Sequence, residues 1–151
     1  MTYVNSAAFA GRGSKLQYST NPPSVAYTIL AEIKTIQFSG MKADLADVTN
    51  FQSSNFREWL PTLNDSGEIA FTGNLIPNDA SASDLLGFFN NQTPVIFQVV
   101  LPASSTHPVS EGTYTFKAYV VSIERSVPVD KEATISGKLK ITAQITFTAG
   151  S

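Results

Sequence analysis

Apolar residues fall on alternate positions over much of this chain, the spacing of strands that bury one face. From Val25 to Phe38 they run as Val25, Tyr27, Ile29, Ala31 and Ile33, then change phase to Ile36 and Phe38, which predicts a strand with a bulge. Glu68 to Leu75 alternates more weakly, with Ile69, Phe71 and Leu75 on one side. Val95 to Leu101 is apolar almost throughout except at Gln98, as expected of a short strand covered on both faces. Tyr114, Phe116, Ala118 and Val120 form a further run, which shifts phase to Val121 and Ile123. The C-terminal run is the most regular. Ile135, Leu139, Ile141, Ala143, Ile145 and Phe147 occupy odd positions, opposed by Thr, Ser, Lys and Gln on even ones. As a single strand at about 3.3 Å per residue it would reach on the order of 45 Å and would need a large sheet beside it.

One helix is predicted, over residues 81–91. Ser81 has the chemistry of an N-cap, and Asp84 three residues on would meet free N–H groups and the positive end of the dipole. Leu85, Phe88 and Phe89 recur at helical spacing, and Pro94 bars extension. Strands surrounding one inserted helix predict a mainly β fold, a β-sandwich or partial barrel of two packed antiparallel sheets with one flanking α-helix and a long extended loop. A length of 151 residues fits a single domain.

Charge narrows the function. Only 15% of residues are charged, against roughly 25% in soluble proteins, so self-repulsion is weak and specific association is favoured. The net charge of -2 and the lack of any basic run argue against gripping nucleic acid. There are no cysteines, which excludes disulfides and thiolate metal sites. Met1 to Gly13 lacks a signal-peptide pattern, and no apolar stretch approaches the ~18 residues of a membrane helix, so a soluble chain made in the cytoplasm is expected. Outer-membrane barrel strands need spans of roughly 9 to 11 residues with aromatic girdles, which are not evident.

Catalytic equipment is sparse. The single histidine, His107, reads as a solvated loop residue. Gly11-Arg-Gly13 does not complete a phosphate-binding fingerprint and is assigned to an N-terminal arm, residues 1–14. Asp44 with Asp47, and Asn64-Asp65 with Glu68, lack the spacing of a calcium loop, and turn formation accounts for Asn64 to Gly67. Ser110 and Glu111 have no histidine in a recognised pattern. No enzyme activity, metal or cofactor is expected.

The segment between Ser39 and Gly67 has no sustained strand period, yet it carries Phe51, Phe56, Trp59, Leu60 and Leu63. That aromatic content argues against disorder. Two readings stand: the side chains fold back onto their own core, with residues 55–60 as a short helix, or the segment projects and packs on another subunit.

Asp47-Val-Thr49, then Phe56-Arg-Glu-Trp-Leu-Pro61, then Gly67-Glu-Ile-Ala-Phe-Thr-Gly-Asn74 resemble the loop and following strand of tail tube proteins of long non-contractile phage tails. Residues 112–130 and 133–142 resemble the last two strands of the same family. Thr62 and Ala143 depart from it, standing where glycine is frequent. The resemblance implies one tail tube domain over residues 1–151, with no accessory immunoglobulin-like domain. It also implies stacked hexameric rings forming a conduit for DNA in the virion, and a long loop over residues 40–66 reaching the next ring.

Leu45, Asp47, Val48, Thr49, Phe51, Phe56, Arg57, Trp59 and Leu60 are the expected contact residues. Implied partners are further copies of the chain and the tape measure, tail terminator and tail tip proteins. DNA would pass without specific binding, and nothing would insert in a membrane. The polar face of the C-terminal run would line either the lumen or the outside. Two alternatives remain: a tube subunit of a contractile injection or type VI secretion system, and a monomeric β-sandwich binding a small ligand through Trp59 or tyrosines.

Overall fold

The computed structural model describes residues 10–19 and 26–150. Among the described residues ten strands and one helix follow in the order β1 (Lys15–Ser19), β2 (Thr28–Ile29), β3 (Ile33–Ser39), β4 (Lys42–Asp47), β5 (Trp59–Asp65), β6 (Glu68–Asn74), α1 (Ala80–Asn91), β7 (Val95–Val100), β8 (Gly112–Ser126), β9 (Thr134–Ile141) and β10 (Thr146–Ala149). Every pairing is antiparallel. Strands β2-β1-β7-β8-β9-β6-β3 form one hydrogen-bonded path, β10 joins β8, and β4-β5 stand apart as a hairpin.

The 15-residue strand β8 organises the body. Its first half pairs with β7 and β10, its second half with β9, so the path folds about β8 into two packed leaves. Leu16, Phe97, Val99 and Phe116 from one leaf meet Ile69, Phe71, Leu139 and Ile141 from the other in the core. Phe97 and Phe116 stack at 6.0 Å, and Phe38 closes on Phe116 edge-on at 5.9 Å. Burial of these side chains is the main driving force, about 1.5–3 kcal/mol for each large one. The ends of the path, β2 and β3, are joined by residues 30–32, so the sheet curls back without closing into a barrel.

Several expectations are met and several are corrected. The phase change before Ile36 is a register irregularity between Ile33 and Thr35, and that after Val120 is a bulge at Val121. The run from Val25 is not one strand: Val25 lies outside the described residues, and the ladder breaks at 30–32, where Glu32 has φ 51°. The C-terminal run is two strands. Ile141 faces Ala118 and Thr146 faces Thr115 on the same edge of β8, so four residues, 142–145, oppose two, 116–117. An excess of two preserves the odd-even phase, which is why the pattern continues through the break.

Helix α1 begins one residue before the expected 81–91 span, with Asp79 rather than Ser81 as N-cap. Ser81 is buried and its hydroxyl donates to the Asp79 carboxylate. Asp84 does not face the helix end but accepts a hydrogen bond from the Tyr18 hydroxyl of β1 at 2.6 Å. Leu85 is buried beneath, and Phe88 meets Tyr18 edge-on at 5.5 Å, fixing the helix on the body. Gln92 closes the helix in a left-handed conformation just before Pro94.

Candidate functional site

The long segment is a β-hairpin. Neither the short helix expected near residues 55–60 nor the fold-back onto the core occurs: Trp59 and Leu60 begin β5, and their side chains are exposed. β4 and β5 pair from Lys42 opposite Asp65 to Asp47 opposite Trp59. Pro61, which has no N–H to donate, sits opposite Leu45 where the register shifts. The Thr62 hydroxyl donates to the Asp44 carbonyl at the irregularity.

Local polar chemistry shapes the tip. Asp47 Oδ1 accepts from the Thr49 amide at 2.9 Å, Glu58 N–H donates to Thr49 Oγ1 at 2.9 Å, and the Ser53 hydroxyl donates to Glu58 at 2.8 Å. Arg57 Nη1 lies 3.5 Å from Asp47 Oδ2. Hydrogen bonds from the Thr49 side chain and then its amide hold the Asp47 carboxyl below its ordinary pKa. The polar groups of the loop thus satisfy one another and leave the apolar side chains facing water. Phe51 is 109% exposed and Phe56 78%. Leu45, Val48, Trp59 and Leu60 are exposed as well. Single exposed leucines are ordinary on a surface, whereas six large apolar side chains exposed on one hairpin are not.

All nine expected contact residues lie on this hairpin, with Leu45, Asp47 and Trp59 on one face and Leu60 on the other. Met41 and Leu63, which that set omitted, are exposed at its lower part. Leu63 was visible in the sequence as one of the segment's large apolar residues. Met41 carried no signal, because a lone methionine after Gly40 has no period.

The hairpin is fixed at its foot. Gly67 has φ +85°, and a Cβ there would lie 2.0 Å from the Ser39 carbonyl oxygen, so only glycine fits this crossing. Asp65 Oδ1 accepts from the Gly67 amide at 2.8 Å, and Lys140 Nζ of β9 contacts Asp65 Oδ1 and Oδ2 at 2.9 and 3.2 Å. The Gly67 amide first, and Lys140 second, lower the Asp65 pKa. The turn expected over Asn64 to Gly67 is corrected: Asn64 and Asp65 end β5, paired with Ala43 and Lys42, and Ser66-Gly67 link it directly to β6.

Other candidates resolve into structural roles. His107 Nδ1 lies 3.0 Å from Glu111 Oε2, so the expected isolation of Glu111 from histidine is corrected: the loop folds the two together. The Ser110 hydroxyl lies 2.9 Å from the carbonyl oxygens of Leu101 and Gly112 and accepts from the Gly112 amide, which commits it to the turn. Gly11 accepts from Ser14 N–H in a turn leading into β1; the rest of the expected arm, residues 1–9, lies outside the described residues. Among the described residues, no three His, Cys, Asp or Glu side chains gather as a metal site. Among them also, no helix is long and apolar enough to cross a membrane.

The sequence signature of the lambda phage tail tube protein, TTP, spans residues 10–148. The chain belongs to this family. As a tail tube family member it is a tube-forming structural protein of the virion that associates with copies of itself, not an enzyme. The monomeric ligand-binding alternative gives way to that membership, and Trp59 stands on a projecting hairpin.

No curated protein sequence matches the chain. Solved structures share the tail tube fold. A subunit of the tail of an empty GTA particle with C6 symmetry is 19% identical with TM-score 0.74, over 94% of this chain and 100% of that one. The SPP1 tail tube is 16% identical with TM-score 0.70, over 95% and 80%. The sheath-tube complex of an extracellular contractile injection system, PVC, is 11% identical with TM-score 0.71, over 95% and 93%. At these identities the likeness concerns the fold.

Proposed function

We propose that six copies of this chain close into a ring, that rings stack into a hollow tube, and that DNA passes through the lumen into the host. The observation that carries the reading is the hairpin, whose self-satisfied polar frame presents Leu45, Val48, Phe51, Phe56, Trp59 and Leu60 to a surface outside the subunit. Asp47, Thr49 and Arg57 hold that presentation, and the contact joins one ring to the next. The six-fold order draws on the C6 symmetry of the GTA tail with the same fold. A wall with few charges and a small negative balance gives phosphate little to grip. Tape measure, tail terminator and tail tip proteins meet the tube along its bore and at its ends.

A second reading keeps the tube and changes its surroundings: a subunit of a contractile injection or type VI system, enclosed by a sheath and carrying no genome. Similar folds in the sheath-tube complex and the sheath/tube terminator of an extracellular contractile injection system favour it. Electron microscopy of the purified protein tests the common core of both. Hollow filaments with six subunits per ring are expected, and a lasting monomer at high concentration would sink both readings. Particles isolated from the producing cells then separate the two: a bare tube ending on a DNA-filled head supports the first, a sheathed tube without a genome the second.

A further inference from the structure

We propose that the hairpin docks on the opposite end of a second copy of this chain, against Val127 and Val129 and the hollow between α1 and β8. The inference rests on the ring-stacking reading and names the surface that receives the hairpin. Strand register sets the geometry. β6 starts at the hairpin foot with Glu68 opposite Lys140 and ends with Asn74 opposite Thr134, where Ser126 of β8 is also opposite Thr134. The hairpin thus leaves one end of the β3-β6-β9-β8 ladder, and the β8-β9 connection, residues 127–133, leaves the other. The seven residues of β6 separate the two ends by about 20 Å.

A stack of subunits that all point one way cannot match a patch with itself. Each contact is head-to-tail and needs two different, complementary surfaces at opposite ends. The second surface is present. In the β8-β9 connection Val127 is 77% exposed and Val129 106%, a large exposure for two valines flanking Pro128. Beside them Leu86 and Phe89 of α1, with Ile123 and Arg125 of β8, line a hollow of about 270 Å³.

Charge is consistent with this partner. Beyond its foot the hairpin carries Asp44, Asp47 and Glu58 against Arg57 alone. At the far end Glu132 is taken up by Lys34 at 3.0 Å, Asp130 and Lys131 offset one another in the connection, and Glu124 alternates with Arg125 to the opposite face of β8, leaving Arg125 at the hollow. Aromatic side chains from the tip of one copy would cover valine, leucine and phenylalanine on the next, with carboxylates at the arginine rim.

The chain contains no cysteine, so thiols can be placed at will. Phe51→Cys and Phe56→Cys are each combined with Val129→Cys in one chain, at positions whose exposure keeps the fold intact, and assembled material is mildly oxidised. At least one pair should convert most subunits into a ladder of covalent multimers on a non-reducing gel, while each single variant stays monomeric. Tubes visible by microscopy whose subunits remain monomeric on the gel for both pairs would overturn the acceptor and leave ring stacking standing. Dimers from Val129→Cys alone would also overturn it, because they put like ends together. Absence of tubes from the unmodified protein would remove the stacking reading itself, and this inference with it. As a second readout, Val129→Asp should cut tube formation at least tenfold with an unchanged melting temperature; tube formation at the unmodified level would count against the acceptor.

Discussion

Lys140 of β9 grips Asp65 at the foot of the hairpin through two contacts, 2.9 and 3.2 Å from its ammonium. The hairpin side chains lie outside the buried core, so this exposed pair and the Gly67 N–H donated to Asp65 are polar ties at its foot, beside the backbone bond from Ile141 N–H to the Gly67 carbonyl. Asp65 has a depressed pKa, so its contribution is present above the unfolded carboxylate pKa and is lost as pH falls through the lower folded value. Lys140→Met should leave the melting temperature of the isolated domain unchanged, speed amide exchange at Gly67, and slow tube elongation. In the unmodified protein elongation should weaken only in acid, below pH about 4. An unchanged exchange rate at Gly67 in the variant would show that the pair does not hold the foot.

Replacement of residues 48–58 by an Asn-Gly turn should keep β4 and β5 paired, because that dipeptide suits a two-residue hairpin connection. The tip contributes nothing to the core, so circular dichroism and the denaturant midpoint should match the unmodified domain. Tube formation should be lost, as read by light scattering and microscopy. Tubes of normal length would remove the tip from the stacking contact.

Gly67→Ala should destabilise the fold by about 1–3 kcal/mol, combining a left-handed backbone with a clash against the Ser39 carbonyl. The substitution lies where the body meets the hairpin, so the urea midpoint should fall. A midpoint equal to that of the unmodified protein would mean that the crossing relaxes freely.

Tyr18→Phe removes the hydroxyl that ties β1 to Asp84 on α1 while keeping the ring against Phe88. Asp84 is exposed and regains water, so the expected cost is about 1.5 kcal/mol, the low end of the range for hydrogen bonds to charged groups. Burial first, and the Asp84 carboxylate second, raise the Tyr18 pKa. Stability from this group is therefore full below the ordinary tyrosine pKa of about 10 and declines above it, as the unfolded chain gains by ionising. The variant should lose that alkaline decline, measured by urea midpoints from pH 9 to pH 11.

Alternation exposed β6 and β8 in the sequence because each of these strands has a dry side, and β7 showed as a nearly continuous apolar run. It missed β4 and β5 for the converse reason: neither face of a projecting hairpin is buried, so Leu45, Trp59 and Pro61 share one face with Asp47 and Leu60 lies on the other. The same lack of a body behind the hairpin is what makes its residues available for assembly. β1 escaped detection for lack of length, with Leu16 and Tyr18 as its only clear apolar pair. The Asp84 bond depends on a contact between residues 66 positions apart, which no local signal reports.

The hairpin continues the lines of β3 and β6 rather than hanging from a loop, and this has a mechanical consequence. Tension applied at its tip runs along those two strands and loads the rungs between β6 and β9 in shear, all together. Pulling across a sheet would instead part them one at a time. A tube built on such joints would stretch and bend at the ring-to-ring contacts while each subunit kept its shape.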